Sequence, residues 1–160
     1  MTIQAGERLP EVPLQRIRDG IETVDTRTLF DHRKMVIFAV PGAFTPTCSE
    51  KHLPGFVEHF DAFRDKGVEV ACMAVNDPFV MQAWGQSQNV PEGLLMLADG
   101  NGDFTRALGL EMDASAYGMG TRSKRFALYA EDGVVKQLHV EAPGEFRVSS
   151  ADYVLEHLPS

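Results

Sequence analysis

The chain has 160 residues, 44% of them hydrophobic, and its 23 acidic side chains outnumber 15 basic ones for a net charge of −8. That size fits one domain, expected to span 1–160, and the acidic balance argues against nucleic acid or an anionic membrane surface as the main partner. Two cysteines, Cys48 and Cys72, with no CxxC spacing, are too few for a secreted disulfide scaffold, so a cysteine with a chemical role here would act as a thiol.

In chain order, the first eight residues show neither an apolar signal core nor an Arg/Ser-rich transit pattern, and no later apolar run approaches the ~20 residues that cross a bilayer. A cytoplasmic location is the expectation. Residues 14–18 and 21–24 flank the Asp19-Gly20 turn as a hairpin, and Asp25 or Thr26 caps a short helix through 28–30. Residues 34–40, apolar on both faces, read as a buried strand that Pro41-Gly42 ends. From 47 to 66, Leu53, Phe56, Val57, Phe60 and Phe63 recur at helical spacing, which predicts an amphipathic helix laid on a sheet, kinked at Pro54 and stopped by Gly67. A second buried strand, 68–75, carries Cys72. Asp77 caps and Pro78 opens a helix to about Gln88. A strand over 94–97, a loop over 99–102 and a short helix over 104–110 follow. Residues 111–123 show no period and are expected to be a loop. Strands 125–130 and 134–140 flank Glu131-Asp132-Gly133 as a second hairpin, and Ser150 or Asp152 opens a terminal helix over 153–158.

Alternating strands and helices imply parallel central strands, and the closing hairpin adds antiparallel ones. The expected fold class is α/β: a thioredoxin-like fold with a central mixed sheet flanked by helices and an N-terminal β-hairpin. The same order also suits a flavodoxin-like plan.

Chemistry points to Pro41-Gly-Ala-Phe-Thr-Pro-Thr-Cys-Ser49, at the junction of the first buried strand and the long helix. A cysteine there meets free backbone N–H groups and the positive end of the macrodipole, which favour a thiolate over a thiol. The competing reading of Cys48 is a small packing residue in a strand–helix turn. Thr45 stands one turn earlier with a hydroxyl near the sulfur, Pro41 and Pro46 stiffen the turn, and Pro41 with Phe44 can shield it from water. Such a pocket suits a small polar substrate with two oxygens. It also calls for a nearby cation, which spacing alone does not select among fifteen Lys and Arg.

The string Pro41-x-x-x-Thr45-x-x-Cys48 resembles the active-site motif of peroxiredoxins, thiol peroxidases of the thioredoxin superfamily. With His52-Leu-Pro-Gly-Phe56, Val75-Asn-Asp77 and Lys124-Arg-Phe126 it resembles their type-5 subfamily. The resemblance implies Cys48 as the peroxidatic cysteine, Thr45 and Pro41 as walls of the peroxide site, and Arg125 as the guanidinium beside the thiolate, with Arg122 the second choice. It implies reduction of hydrogen peroxide and alkyl hydroperoxides through a Cys48 sulfenic acid, with no metal or organic cofactor, and a homodimer meeting near Phe44, Phe79 and the loop 118–121. Some type-5 members carry a resolving cysteine after the final hairpin, but residues 141–150 hold none. Cys72, mid-strand in apolar company, reads as a packing residue. An external thiol (glutathione, glutaredoxin or thioredoxin) is therefore the expected reductant. A non-catalytic thiol redox sensor or binding protein is the alternative.

Four residues after Cys48, His52 faces the same side of the helix, either as a catalytic partner or as a histidine bonded to backbone. The five histidines show no ligand spacing, so no metal site is expected. Gly118-Met-Gly120 lacks the following Lys and Ser of a phosphate loop.

Overall fold

The apolar runs at the centre of the chain become the middle of a sheet. The computed structural model describes residues 2–159. A hairpin of β1 (Pro13–Ile17) and β2 (Ile21–Asp25) leads into α1 (Thr26–Phe30), where the Asp25 carboxylate accepts from the Arg27 N–H. After β3 (Lys34–Ala39) come a π-helical turn (Cys48–His52), α2 (Leu53–Glu58) and α3 (Phe60–Asp65). Next are β4 (Val68–Ala74), α4 (Pro78–Ser87), β5 (Leu95–Ala98) and α5 (Asp103–Leu108). The chain closes with β6 (Glu111–Asp113), β7 (Thr121–Ser123), the hairpin β8 (Phe126–Glu131) and β9 (Val134–Val140), and α6 (Ala151–His157).

Seven strands form one sheet in the order β2-β1-β5-β4-β3-β8-β9. The inner three run parallel, β8 and β9 extend one side antiparallel, and β1 joins β5 antiparallel on the other. This is the mixed α/β thioredoxin-like fold expected, with the N-terminal hairpin as one edge. Alternation along β3 divides the core: Val36 and Phe38 face α2, α3, α4 and α6, while Met35, Ile37 and Ala39 face α1 and α5.

Two expectations change. The helix over 47–66 is not one kinked rod. Its start is a π turn in which the Leu53 N–H reaches the Cys48 carbonyl five residues back, and His59 (φ −97, ψ 11) separates α2 from α3. Pro54 accounts for the turn, since it has no N–H and its ring would collide with a carbonyl four residues earlier in a regular helix; the wider turn makes room. The span 111–123 is not loop alone, because β6 and β7 pair antiparallel from Glu111↔Ser123 to Asp113↔Thr121. Strands of three residues are too short to show a period.

Candidate active site

The strand order brings two distant segments to one place. β3 ends at Ala39, which lies opposite Phe126 of β8, so Arg125 stands beside the exit of β3 where the chain turns toward Cys48. Side-chain alternation sets the direction. Phe126 and Leu128 enter the α1/α5 core, Ala127 and Tyr129 the opposite one. Arg125, one residue before Phe126, shares the face of Ala127, which is also the face of Cys48.

The turn itself is tied at several points. The Ala43 N–H donates to Asn76 Oδ1 at 2.9 Å, anchoring it to the loop after β4. Thr45 Oγ1 donates to the Gly42 carbonyl at 2.7 Å, and the Thr45 carbonyl accepts from the Ser49 N–H at 2.9 Å. Its hydroxyl proton is thus committed, leaving the oxygen's lone pairs free to accept. Gly42 packs closely here: a Cβ on it would lie 3.0 Å from Met119 Cε and 3.1 Å from Arg122 Nη1, so those side chains would have to shift. On α4, Trp84 Nε1–H donates to Ser49 Oγ at 2.9 Å and pins the first turn from the side.

Cys48 is fully enclosed, and Arg125 Nη2 donates to its Sγ at 3.1 Å. Opposite charges ~3 Å apart attract by on the order of 5 kcal/mol at an effective dielectric of ~20, so the guanidinium offsets part of what enclosure costs an anion there. The second arm, Arg125 Nη1, lies 2.8 Å from His52 Nδ1. A guanidinium only donates, so Nδ1 accepts and the ring proton sits on Nε2, which donates to the Ser149 carbonyl at 2.9 Å. Burial, reinforced by the adjacent Arg125 charge and opposed by the Ser149 bond, pushes the His52 pKa down to about 3. His52 is therefore neutral near pH 7, and its one acceptor nitrogen is occupied. It aims Arg125 and bonds backbone; it is not placed to take a proton from Cys48.

Of the residues singled out from sequence, Cys48 and Arg125 touch. Pro41 is tied instead to Arg122: its carbonyl accepts from Arg122 Nη1 at 3.4 Å, while Arg122 Nε–H donates to the Met119 carbonyl at 2.9 Å. Arg122 thus clamps the turn and makes no hydrogen bond to the sulfur. Arg125 precedes β8 and does not belong to it, although its carbonyl accepts from the Glu141 N–H beyond β9 at 3.0 Å. Cys72 is enclosed in β4 beside Phe38, and burial raises its thiol pKa well above the usual range, with Cys48 adding to the rise and Arg125 opposing it. Both cysteines are free thiols.

Three contributors had no signal in the sequence beyond lying in the loop 141–150. Phe146 packs its ring 5.0 Å from that of His52 and 5.9 Å from Arg125 Cζ. Glu141 Oε2, nearly buried, accepts from the Arg147 N–H and from both the N–H and hydroxyl of Ser149. The histidines' lack of ligand spacing also concealed one long-range grouping. Asp31, His32 and Asp132 gather by the β8–β9 turn, all exposed, with ligand atoms within 4.8 Å of one another.

A family model described as Redoxin matches residues 4–155. Peroxiredoxin-2B of Arabidopsis thaliana is 48% identical over 98% of this chain and 98% of its own length. The hybrid peroxiredoxin hyPrx5 of Haemophilus influenzae is 39% identical over 99% of this chain and 67% of its own. Reduced Prx3 from Vibrio vulnificus in complex with hydrogen peroxide superposes with a TM-score of 0.93 at 49% identity, covering 97% of this chain and 98% of that one.

Proposed function

The chain belongs to the Redoxin family and is a peroxiredoxin of the type-5 kind, a thiol peroxidase; from that premise we propose that Cys48 is its peroxidatic residue, with Arg125, Thr45 and Pro41 completing the site. The observation that carries the assignment is the 3.1 Å contact from Arg125 Nη2 to Cys48 Sγ at a fully enclosed cysteine.

The Cys48 thiolate attacks one peroxide oxygen in line with the O–O bond. A new S–O bond forms, the O–O bond breaks, and the departing oxygen leaves as hydroxide or alkoxide that takes up a proton from solvent to become water or an alcohol. Sulfur is oxidised to the sulfenic acid and the peroxide is reduced. Charge moves from sulfur to the leaving oxygen, and Arg125 is preorganised to follow it. With its own proton held by Gly42, Thr45 Oγ1 accepts from the attacked peroxide oxygen and orients it. Pro41, its carbonyl fixed by Arg122, walls the pocket. The substrate class is hydrogen peroxide and small alkyl hydroperoxides, with no metal or organic cofactor taking part.

Reduction of the sulfenic acid falls to an outside thiol: glutathione, glutaredoxin or thioredoxin. One thiol condenses to a mixed disulfide with loss of water, and a second exchanges with it to release the donor disulfide and restore Cys48. The enclosure of Cys72 in β4 supports this one-cysteine route. A homodimer belongs to the same proposal; Phe44, Phe79 and Tyr117 expose 56%, 60% and 83% of their surfaces near its expected contacts. So do a single functional domain over 1–160 and a cytoplasmic setting, where thiols are kept reduced. No helix among the described residues is long and apolar enough to cross a membrane.

Stopped-flow mixing with one equivalent of hydrogen peroxide should consume the Cys48 thiol far faster than free cysteine reacts. Sustained turnover with a glutathione/glutaredoxin couple should follow, whereas a sensor would oxidise once and stop. Equal consumption by the Cys48→Ser protein would end the assignment. Light scattering that gives a monomer at working concentration would remove the dimer.

A further inference from the structure

Four hydrogen bonds close a ring around the guanidinium. The Arg125 carbonyl accepts from the Glu141 N–H at 3.0 Å, and Glu141 Oε2 accepts from the Ser149 N–H at 2.8 Å. The Ser149 carbonyl accepts from His52 Nε2, and His52 Nδ1 accepts from Arg125 Nη1. The ring begins at the Arg125 backbone and returns at its side chain, leaving Nη2 as the arm on Cys48. Glu141 takes part through both its backbone and its side chain: its N–H donates to the Arg125 carbonyl and its carboxylate accepts from Ser149.

We propose that Glu141 is a positioning residue for the peroxidase reaction: its carboxylate fixes the loop carrying Ser149, so that His52 holds Arg125 aimed at Cys48. This rests on the assignment of Cys48 and Arg125 above. One oxygen, Oε2, takes three donors: the Arg147 N–H, the Ser149 N–H and the Ser149 hydroxyl at 2.7 Å. Three bonds converging on a single nearly buried acceptor need its full charge, since a neutral carbonyl holds each donor more weakly. The loop has no other regular structure between β9 and α6, so its backbone carbonyls point where these bonds direct them. His52 must meet a carbonyl at one fixed point to keep its proton on Nε2. If Ser149 moves, the ring is free to take the other tautomer, Nδ1 then donates, and it repels Arg125 Nη1 in place of accepting from it.

The test measures three variants of the full chain. Glu141→Ala is expected to react with hydrogen peroxide about tenfold more slowly or worse, since displacing a reacting group by ~1 Å from a remote position can cost ~100-fold. Glu141→Gln keeps an acceptor without the charge and should fall between it and the unmodified protein. Glu145→Gln removes a carboxylate from the same loop, exposed and paired only with Arg147, and should change nothing. A role confined to loop stability would not alter the His52 ring, so nitrogen NMR of the imidazole supplies the second readout. The Nε2–H tautomer should be uniform in the unmodified protein and mixed in Glu141→Ala. A folded Glu141→Ala with unchanged rate and unchanged tautomer overturns the inference. Should that variant fail to fold, Glu141→Gln decides alone, and its matching the unmodified protein in both readouts overturns it equally. Peroxide consumption that survives Cys48→Ser would instead remove the underlying assignment, whatever Glu141 does.

Discussion

Cys48 and Cys72 lie in the same apolar cluster, both fully enclosed and both on the same side of the sheet. Cys72 is held in β4 between the strand partners Phe38 and Met96, and its sulfur receives no hydrogen bond among the described residues. Cys48 opens a π turn and receives a guanidinium N–H at 3.1 Å. Enclosure penalises a charged sulfur in both places; only at Cys48 does a directed cation answer the penalty. The difference teaches that a reactive thiol is not found by exposure or by burial. It is found by asking which donor points at it, and what holds that donor still.

The largest expected effect tests the first half of that contrast. Cys48→Ser should reduce peroxide consumption in stopped flow to the level of buffer. Next, Arg125→Ala should slow the same step by ~10²–10³-fold, the cost of removing one preorganised donor from a developing charge. Arg125→Lys should recover only part, because both arms of the fork are engaged. Near-normal kinetics in Arg125→Ala would collapse the distinction between the two cysteines.

A third prediction concerns the group that holds the donor. His52 is neutral in the fold down to about pH 3 but takes a proton near pH 6.5 once unfolded. Between those limits the unfolded state binds more protons, so stability falls as pH falls. Urea unfolding should show a loss of roughly 2–3 kcal/mol between pH 7 and pH 4.5 from this group. His52→Gln should be less stable at pH 7 yet show a flatter pH slope. An unchanged slope would mean that His52 is not the buried neutral group described.

Smaller effects follow. Trp84→Phe removes the N–H that holds Ser49 and should cost about 1 kcal/mol in unfolding free energy. Cys72→Ala should leave the peroxide rate within about twofold, because β4 offers its thiol no route to ionise. Intact mass after oxidation sharpens this further: a loss of about 2 Da that disappears in Cys72→Ala would reveal an internal disulfide and make the two cysteines partners.

Much of this arrangement is legible in the sequence. The strand, turn and helix around Cys48 follow from an apolar run, a Pro-Gly stop and helical spacing. The capping residues Asp25, Asp77 and Ser150 each accept a first-turn N–H. What escapes has a common physical cause. The π turn depends on where the Pro54 ring would collide, which periodicity does not encode. The pairing of β6 with β7 spans too few residues to show alternation. Arg125 was indicated by family resemblance because no local spacing relates it to a cysteine 77 positions away. His52 and Ser149 meet across 97 positions through a backbone carbonyl, which every residue type possesses, so no side chain marks the contact.

The pairing of β3 with β8 carries one more consequence, which is a matter of parity. Adjacent residues of a strand face opposite sides, so an odd displacement exchanges the faces and an even one restores them. One residue inserted between Arg125 and Phe126 would leave Phe126 opposite Ala39 and the sheet intact, yet it would carry the guanidinium to the side occupied by α1 and α5. Two inserted residues would return it to the correct side but ~7 Å too far along. Length changes at the Asp132-Gly133 turn, at the other end of β8, leave that count untouched. Homologous chains can thus vary at one end of this hairpin while the other keeps count for the chemistry.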